Sequence, residues 1–78
     1  MYAYILVEIP AGSPRDLEKK IQKLHRRVVE ARSVYGSRYD IVVKVKTKDP
    51  EEIDDIVDMI QRLQKGITTV TLESVGGT

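Results

Sequence analysis

Asp40 is the carboxylate whose neighbours suggest a ligand. It follows the turn Tyr35-Gly36-Ser37-Arg38-Tyr39 and directly precedes the β-branched run Ile41-Val42-Val43. Gly36 can take a positive φ at no steric cost and Ser37 suits a turn, so irregular backbone with open N–H groups is expected beside this side chain. Thr69 and Thr71 alternate onto one face of a later extended segment and add hydroxyls. One carboxylate, open backbone N–H groups and hydroxyls suit a zwitterion: the carboxylate accepts from an ammonium, and the N–H groups donate to a second carboxylate. The commoner role of an Asp so placed is to cap its own turn through an Asx hydrogen bond.

Other chemistry is poorly supplied. There is no cysteine, and the single histidine, His25, falls at the end of a helical pattern among basic residues, where it reads as an exposed cap rather than a base or metal ligand. Glu51, Glu52, Asp54, Asp55 and Asp58 cluster at the start of a second helical pattern. They complement the helix dipole there, and the spacing of Glu51, Asp55 and Asp58 puts those three on the solvent side. The loop at Gly12 lacks the Gly-Lys-Ser/Thr of a phosphate-binding loop. No catalytic residue, metal or cofactor is expected.

Seventy-eight residues make one domain. A chain of this size buries only about 60 % of its surface on folding, so a lone core is marginal. Without cysteines or a histidine cluster, self-association is the remaining source of stability. Absence of cysteine fits a reducing compartment, and a cytoplasmic location is expected. No apolar run approaches the ~20 residues of a membrane span, and no signal peptide is evident. Thirteen basic against twelve acidic residues leave a net charge of +1, which offers no footprint for direct DNA binding. Seven basic residues between Arg15 and Arg32 are diluted by Asp16, Glu18 and Glu30 and have no aromatics interleaved for stacking, so they read as a solvated helix face.

The elements that must position Asp40 follow from periodicity. Tyr2–Ile9 is apolar on both faces, Ala3, Ile5, Val7 and Ile9 on one and Tyr2, Tyr4 and Leu6 on the other, which predicts a central strand. Ser13-Pro14-Arg15-Asp16 is a helix start, and Leu17, Ile21, Leu24 and Val28 make its apolar stripe. Val29–Tyr35 is a second strand whose uneven pattern predicts a bulge. In the third strand Ile41, Val43 and Val45 alternate with Val42, Lys44 and Lys46. Asp49-Pro50-Glu51-Glu52 starts the second helix, with the stripe Ile53, Ile56, Val57, Ile60 and Leu63, and Gly66 stops it. Thr68–Val75 is the last strand, and residues 76–78 are expected to fray.

The order strand, helix, strand, strand, helix, strand predicts an α+β, ferredoxin-like βαββαβ fold, a four-stranded antiparallel sheet with both helices on one face. The uncovered face is expected to carry Tyr2, Tyr4, Leu6, Val42 and Val75 among Thr69, Thr71, Glu73 and lysines. So much apolar surface on a small domain predicts a homodimer closing over it.

Four segments, V-x-x-A-x-x-V-Y-G, Y-D-I-V-V-K-V, K-D-P-E-E-I and G-I-T-T-V-T-L, resemble the C-terminal effector-binding (RAM) domain of the Lrp/AsnC transcriptional regulators. The likeness covers residues 1–75 as a single effector-binding and oligomerisation domain. Members usually carry a winged helix-turn-helix domain upstream, whereas this chain opens on the first strand and so looks like the stand-alone form. The resemblance implies dimerisation through the sheets to give a dimeric α+β barrel, assembly of dimers into rings such as octamers, and binding of a free amino acid where dimers meet. By motif match, Gly36, Tyr39 and Asp40 would line that effector site, and Thr69 and Thr71 would face it. A full-length Lrp/AsnC regulator is the implied partner and transcription regulation the implied function. The family turn usually has one residue between Gly and Tyr. Here Ser37 and Arg38 both intervene, so Arg38 can fill the pocket or pair with Asp40.

Two other functions share the element order. A small dimeric α+β barrel enzyme, of monooxygenase or isomerase type, needs an acid, base or cofactor ligand aimed into the cavity, and here only Asp or Tyr could serve. An ACT-like regulatory domain also binds amino acids, but at the loop after the first strand, here around Gly12. The turn at Gly36 is the better supplied of the two sites.

Overall fold

Alternation in the first strand sends every second side chain to one side. In the structure, a computed structural model that describes residues 2–74, that side is the core. In β1 (Tyr2–Glu8), Ala3, Ile5 and Val7 are fully buried, while Tyr2, Tyr4, Leu6 and Glu8 face the other way and are half-buried. β1 pairs antiparallel with β3 (Ile41–Lys46) on one side and β4 (Thr68–Glu73) on the other, so it is central, as its two-sided apolarity predicts. β2 (Val28–Ser33) pairs antiparallel with β3, and the sheet order is β2-β3-β1-β4. Two helices, α1 (Pro14–Gln22) and α2 (Pro50–Gln61), complete the ferredoxin-like βαββαβ order. Leu17 and Ile21 of α1 and Ile53, Ile56 and Ile60 of α2 meet the inward residues of β1 and β3 in one core. Each such Ile or Val contributes roughly 1.5–3 kcal/mol by leaving water.

The helix starts form as the sequence dictates. Ser13 Oγ accepts from the Asp16 N–H at 3.4 Å, and Asp49 Oδ1 accepts from the Glu51 N–H at 2.9 Å, each cap followed by a proline in the first turn. The end of α1 differs from expectation. Its stripe was expected to run through Leu24 to Val28, but the N–H groups of Lys23 and Leu24 turn back to Lys20 O (3.3 Å) and Ile21 O (3.0 Å), tightening the last turn. Leu24 therefore reaches the core from a turn, and Val28 from the first position of β2. His25 is the cap of that turn, its Nδ1 accepting from the Arg27 N–H at 3.0 Å, and it is half-buried rather than exposed.

The predicted bulge is present. Pairing of β2 with β3 slips between Val28 and Glu30, leaving Val29 as the extra residue, turned out to solvent. The strand ends at Ser33, two residues before Tyr35, which is 98 % exposed. Beyond α2, Gly66 has φ +88°, and a Cβ there would lie 2.9 Å from Pro10 Cγ, so backbone conformation and close approach both require glycine.

The open face needs one correction. Register pairs Leu6 with Val70 and Tyr4 with Leu72, so Val70 and Leu72 lie on the open face. Thr69, Thr71 and Glu73 pair with Val7, Ile5 and Ala3 and share the helix side instead, contrary to the expected placement. A one-residue error of phase moves a whole strand's side chains to the opposite face. Val75 and residues 76–78 lie outside the described residues.

Candidate functional site

The topology gathers the exit of β1, the start of α1, the β2–β3 turn and the start of β4 at one end of the sheet. Asp40 ties two of these together, the exit of β1 and the β2–β3 turn. Its N–H donates to Val7 O at 2.8 Å, its carbonyl accepts from the Val34 N–H at 2.9 Å, and its Oδ2 accepts from the Ile9 N–H at 2.8 Å. Ile9 lies just beyond β1, where the ladder has ended, so the carboxylate supplies the acceptor that a strand neighbour would otherwise provide. The expected Asx cap is not what Asp40 does. Ser37 caps the turn in its place, its Oγ accepting from the Tyr39 N–H at 3.1 Å.

Asp40 Oδ1 has no hydrogen-bond partner among the described residues, and Asp40 lines a cleft of about 340 Å³ with Ser13, Pro14, Arg15, Ser33, Val34 and Tyr35. The cleft lies between the start of α1 and the end of β2, and its size is at the lower end of ligand sites, roughly 300–1,000 Å³. It joins a carboxylate acceptor to a guanidinium, a serine hydroxyl and the start of a helix dipole. Those groups complement the two charged ends of a zwitterion.

Gly36 has φ +93° with open space where a Cβ would stand, so the turn is held by backbone conformation rather than by contact. Tyr39 is half-buried and carries the Arg38 guanidinium 5.3 Å from its ring centroid. Arg38 does not pair with Asp40 and does not line the cleft. It reaches Glu8 instead, Nη2 to Oε1 at 3.9 Å, and Thr68 Oγ1 donates to the same carboxylate oxygen at 3.1 Å.

The chain brings Gly36, Tyr39 and Asp40 together but holds Thr69 and Thr71 apart from them. Both threonines are on β4, with β1 between that strand and β3, which Asp40 directly precedes. Thr69 Oγ1 accepts from Gln61 Nε2 of α2 at 3.2 Å, and Thr71 is exposed further along the strand. Ser13 and Arg15 were not foreseen as site residues. The signal was available, because in a βαββ order the first helix starts at the same end of the sheet as the β2–β3 turn. At the Gly12 loop, Gln64 Nε2 donates to Ala11 O at 2.7 Å, and Gln64 Oε1 would lie 3.6 Å from a Cβ at Gly12. That space is already occupied.

The opposite end of the sheet carries a polar junction whose side chains partner one another, on a cleft of about 590 Å³ that Arg27, Thr47, Asp49 and Glu52 line with Lys46 and Lys48. Thr47 is 3 % exposed, and its Oγ1 accepts from the Asp49 N–H at 3.0 Å and donates to Glu52 Oε1 at 2.6 Å. Arg27 Nε donates to Glu52 Oε2 at 3.3 Å. The Thr47 hydroxyl, and after it Arg27, hold the Glu52 carboxyl below the usual carboxylate range, against an opposing effect of burial. Among the described residues no group of three or more His, Cys, Asp or Glu is arranged to hold a metal ion, and no helix is long and apolar enough to cross a membrane.

Known proteins share this fold. The solved structure of TTHA0845 from Thermus thermophilus superposes with a TM-score of 0.81 at 31 % identity, over 99 % of this chain and 95 % of that one. The structure of FFRP-DM1 superposes at 0.76 with 32 % identity, over 95 % of this chain and 97 % of that one. The HTH-type transcriptional regulator FL11 of Pyrococcus furiosus is 34 % identical over 62 residues, 80 % of this chain and 40 % of the relative, so the chain spans less than half the length of that curated relative. The model of the Lrp/AsnC ligand binding domain matches residues 2–75. By that match, which takes in the whole described fold and both ends of its sheet, the chain belongs to the Lrp/AsnC ligand binding domain family.

Proposed function

We propose that the chain is an amino-acid-sensing, oligomer-forming regulatory module that acts by assembling with itself or with a full-length regulator of its family. The observation that carries this reading is Asp40, with one carboxylate oxygen fixed by the Ile9 amide and the other without a partner, on a cleft that also holds Arg15 and Ser13. The fixed oxygen orients the group and the second one accepts the α-ammonium. Turn amides at Gly36 or the Arg15 guanidinium receive the α-carboxylate. Tyr39 supports the turn, and Thr69 and Thr71 contribute from a neighbouring dimer, since they lie on a different strand from the turn in one chain. Calorimetric titration with the twenty amino acids tests the reading: one or a few should bind, and binding of none overturns it.

Assembly is supported by the open face. Val70 and Leu72 are 40 % and 51 % exposed there, continuous with Leu6, Tyr4 and Val42, and no described residue of β4 is buried. An apolar strip on so small a domain is best explained by a second copy covering it. A stable species of 8.9 kDa by light scattering at micromolar concentration would contradict this. The chain as it stands is not expected to bind duplex DNA with sequence preference by itself, and a specific gel shift would overturn that. No observation favours a barrel-type enzyme: the single histidine uses Nδ1 on its own turn.

A further inference from the structure

At the Thr47–Glu52 junction the acids are spent and the cations are left over. Glu52 Oε1 accepts from the Thr47 hydroxyl and Oε2 from Arg27 Nε, while Asp49 Oδ1 accepts from the Glu51 N–H. The amides where α2 begins are taken as well, the Asp49 N–H by Thr47 Oγ1 and the Glu52 N–H by Asp49 O at 3.0 Å. Arg27 donates through Nε alone, so its Nη1 and Nη2 make no hydrogen bond with a described residue. Lys46 and Lys48 are exposed, and neither is in an ion pair with a described residue. Lys44 has the closer place over the Tyr2 ring, 4.5 Å from its centroid against 5.6 Å for Lys46.

Three parts of the chain bring these cations to one cleft. Arg27 stands immediately before β2, Lys46 ends β3, and Lys48 lies in the link from β3 to α2. The Arg27 carbonyl accepts from the Lys46 N–H at 3.0 Å, which holds those two residues beside each other. With Thr47, Asp49 and Glu52 they line the cleft of about 590 Å³, three cations against two acids. Arg26 adds to the positive field. After the Thr47 hydroxyl and Arg27, and against burial, it too holds the Glu52 carboxyl below its usual range.

We propose that this cleft binds a small phosphate-bearing molecule through Arg27, Lys46 and Lys48. A carboxylate brings one negative charge and two oxygens. A phosphate group brings about 1.5 to 2 charges and three terminal oxygens, a closer match to a guanidinium and two ammonium groups on separate side chains. The cleft lies within the roughly 300–1,000 Å³ of small-molecule sites, so it has room for the organic part of the ligand. A long polyanion is disfavoured. Glu51, Asp54 and Asp55 are exposed on the first turns of α2, in no ion pair with a described residue, and would repel a nucleic-acid strand running past the cleft. The site is at the opposite end of the sheet from Asp40 and stands whether or not an amino acid binds there.

Titration of the full 15N-labelled chain with inorganic phosphate and with pyrophosphate tests it, with no amino acid added. Ionic strength is held constant with sodium chloride so that general screening does not change. The amides of Arg27, Lys46, Thr47 and Lys48 should shift to saturation, pyrophosphate acting at lower concentration than phosphate, while those of Val34 and Asp40 stay in place. Lys46→Ala/Lys48→Ala removes two exposed side chains and should weaken pyrophosphate binding by about tenfold. Arg15→Ala, at the other end of the sheet, should leave it unchanged. Shifts that grow without saturating, which mark an adventitious ion only, overturn the proposal. So do shifts centred on Val34 and Asp40, equal affinity in the double variant, or a short DNA duplex that moves the same amides at lower concentration than pyrophosphate. The wild-type titration decides independently of how the variants fold.

Discussion

The two ends of the sheet each carry a carboxylate that joins separate elements, and they differ in what each leaves over. At one end Glu52 uses both oxygens, one on the buried Thr47 hydroxyl and one on Arg27, and its carboxyl is held below the usual range. At the other end Asp40 uses one oxygen on the Ile9 amide and has none of the remaining acceptor capacity taken up among the described residues. A buried polar group with every partner satisfied fixes structure. One that is positioned yet half satisfied leaves an acceptor open. The comparison separates a structural junction from a candidate site built of the same chemistry.

Substitutions at the two ends should therefore fail in different ways. The largest effect is expected at Asp40. Asp40→Ala removes a charge-assisted hydrogen bond worth roughly 1.5–3 kcal/mol, so affinity for the amino acid should fall by one to two orders of magnitude in calorimetry. Asp40→Asn sharpens the test: its side-chain oxygen still accepts from Ile9, so thermal stability should stay near wild type while binding is lost. If Asn binds as well as Asp, the charge plays no part.

Next in size is Thr47→Val, which keeps the shape but removes the hydroxyl from a site 3 % exposed. The hydroxyl's lost hydrogen bonds cost about 0.5–1.5 kcal/mol, and each kcal/mol lowers Tm by roughly 4–8 °C in a domain of this size. Amino-acid affinity should not change. A loss of binding as large as that of Asp40→Ala would erase the distinction between the two ends.

A smaller, pH-dependent effect belongs to Glu52. Its folded pKa lies below the unfolded value of roughly 4.3, so its contribution to stability is present above that value and is lost as pH falls through the folded pKa. Glu52→Gln should accordingly be less stable than wild type near neutrality, and the two melting curves should converge below about pH 4. Curves that stay parallel as pH falls through the carboxylate range would show that the carboxylate is not the group responsible. The smallest effect is expected at Arg38. Its pair with Glu8 is exposed and long, so Arg38→Ala should change stability by no more than about 0.5 kcal/mol and leave affinity unaltered.

Much of this arrangement was legible in the residues. Strict alternation fixed the faces of β1 and β3, and Ser13-Pro14 and Asp49-Pro50 marked both helix starts because proline fits the first turn and the preceding oxygen finds an open N–H. Phase failed where alternation was weak: in β4 hydroxyls and apolar residues alternate without a buried position to set the face, and Thr69 and Thr71 were assigned to the wrong one. The stripe through Leu24 and Val28 misled because a turn can deliver a side chain to the core at helical spacing. At Asp40 the residue was identified but its partner was not, since Ile9 is 31 positions away and a local Asx turn is what nearby residues suggest. Ser13 and Arg15 were visible as a helix start, and only topology brings them to the cleft beside Asp40.

The Ile9 amide offers the most direct measurement. It is bonded to the carboxylate proposed to hold the ligand's ammonium group, yet it stands outside the turn itself. In a 15N-labelled sample titrated with the amino acid that binds, the Ile9 amide resonance should shift together with those of Gly36, Tyr39 and Asp40, and the Ile9 shift should vanish in Asp40→Ala along with binding. Saturating shifts confined to Ala11, Gly12 and Gln64, with Ile9 and Asp40 unmoved, would contradict the account and place the ligand at the other loop.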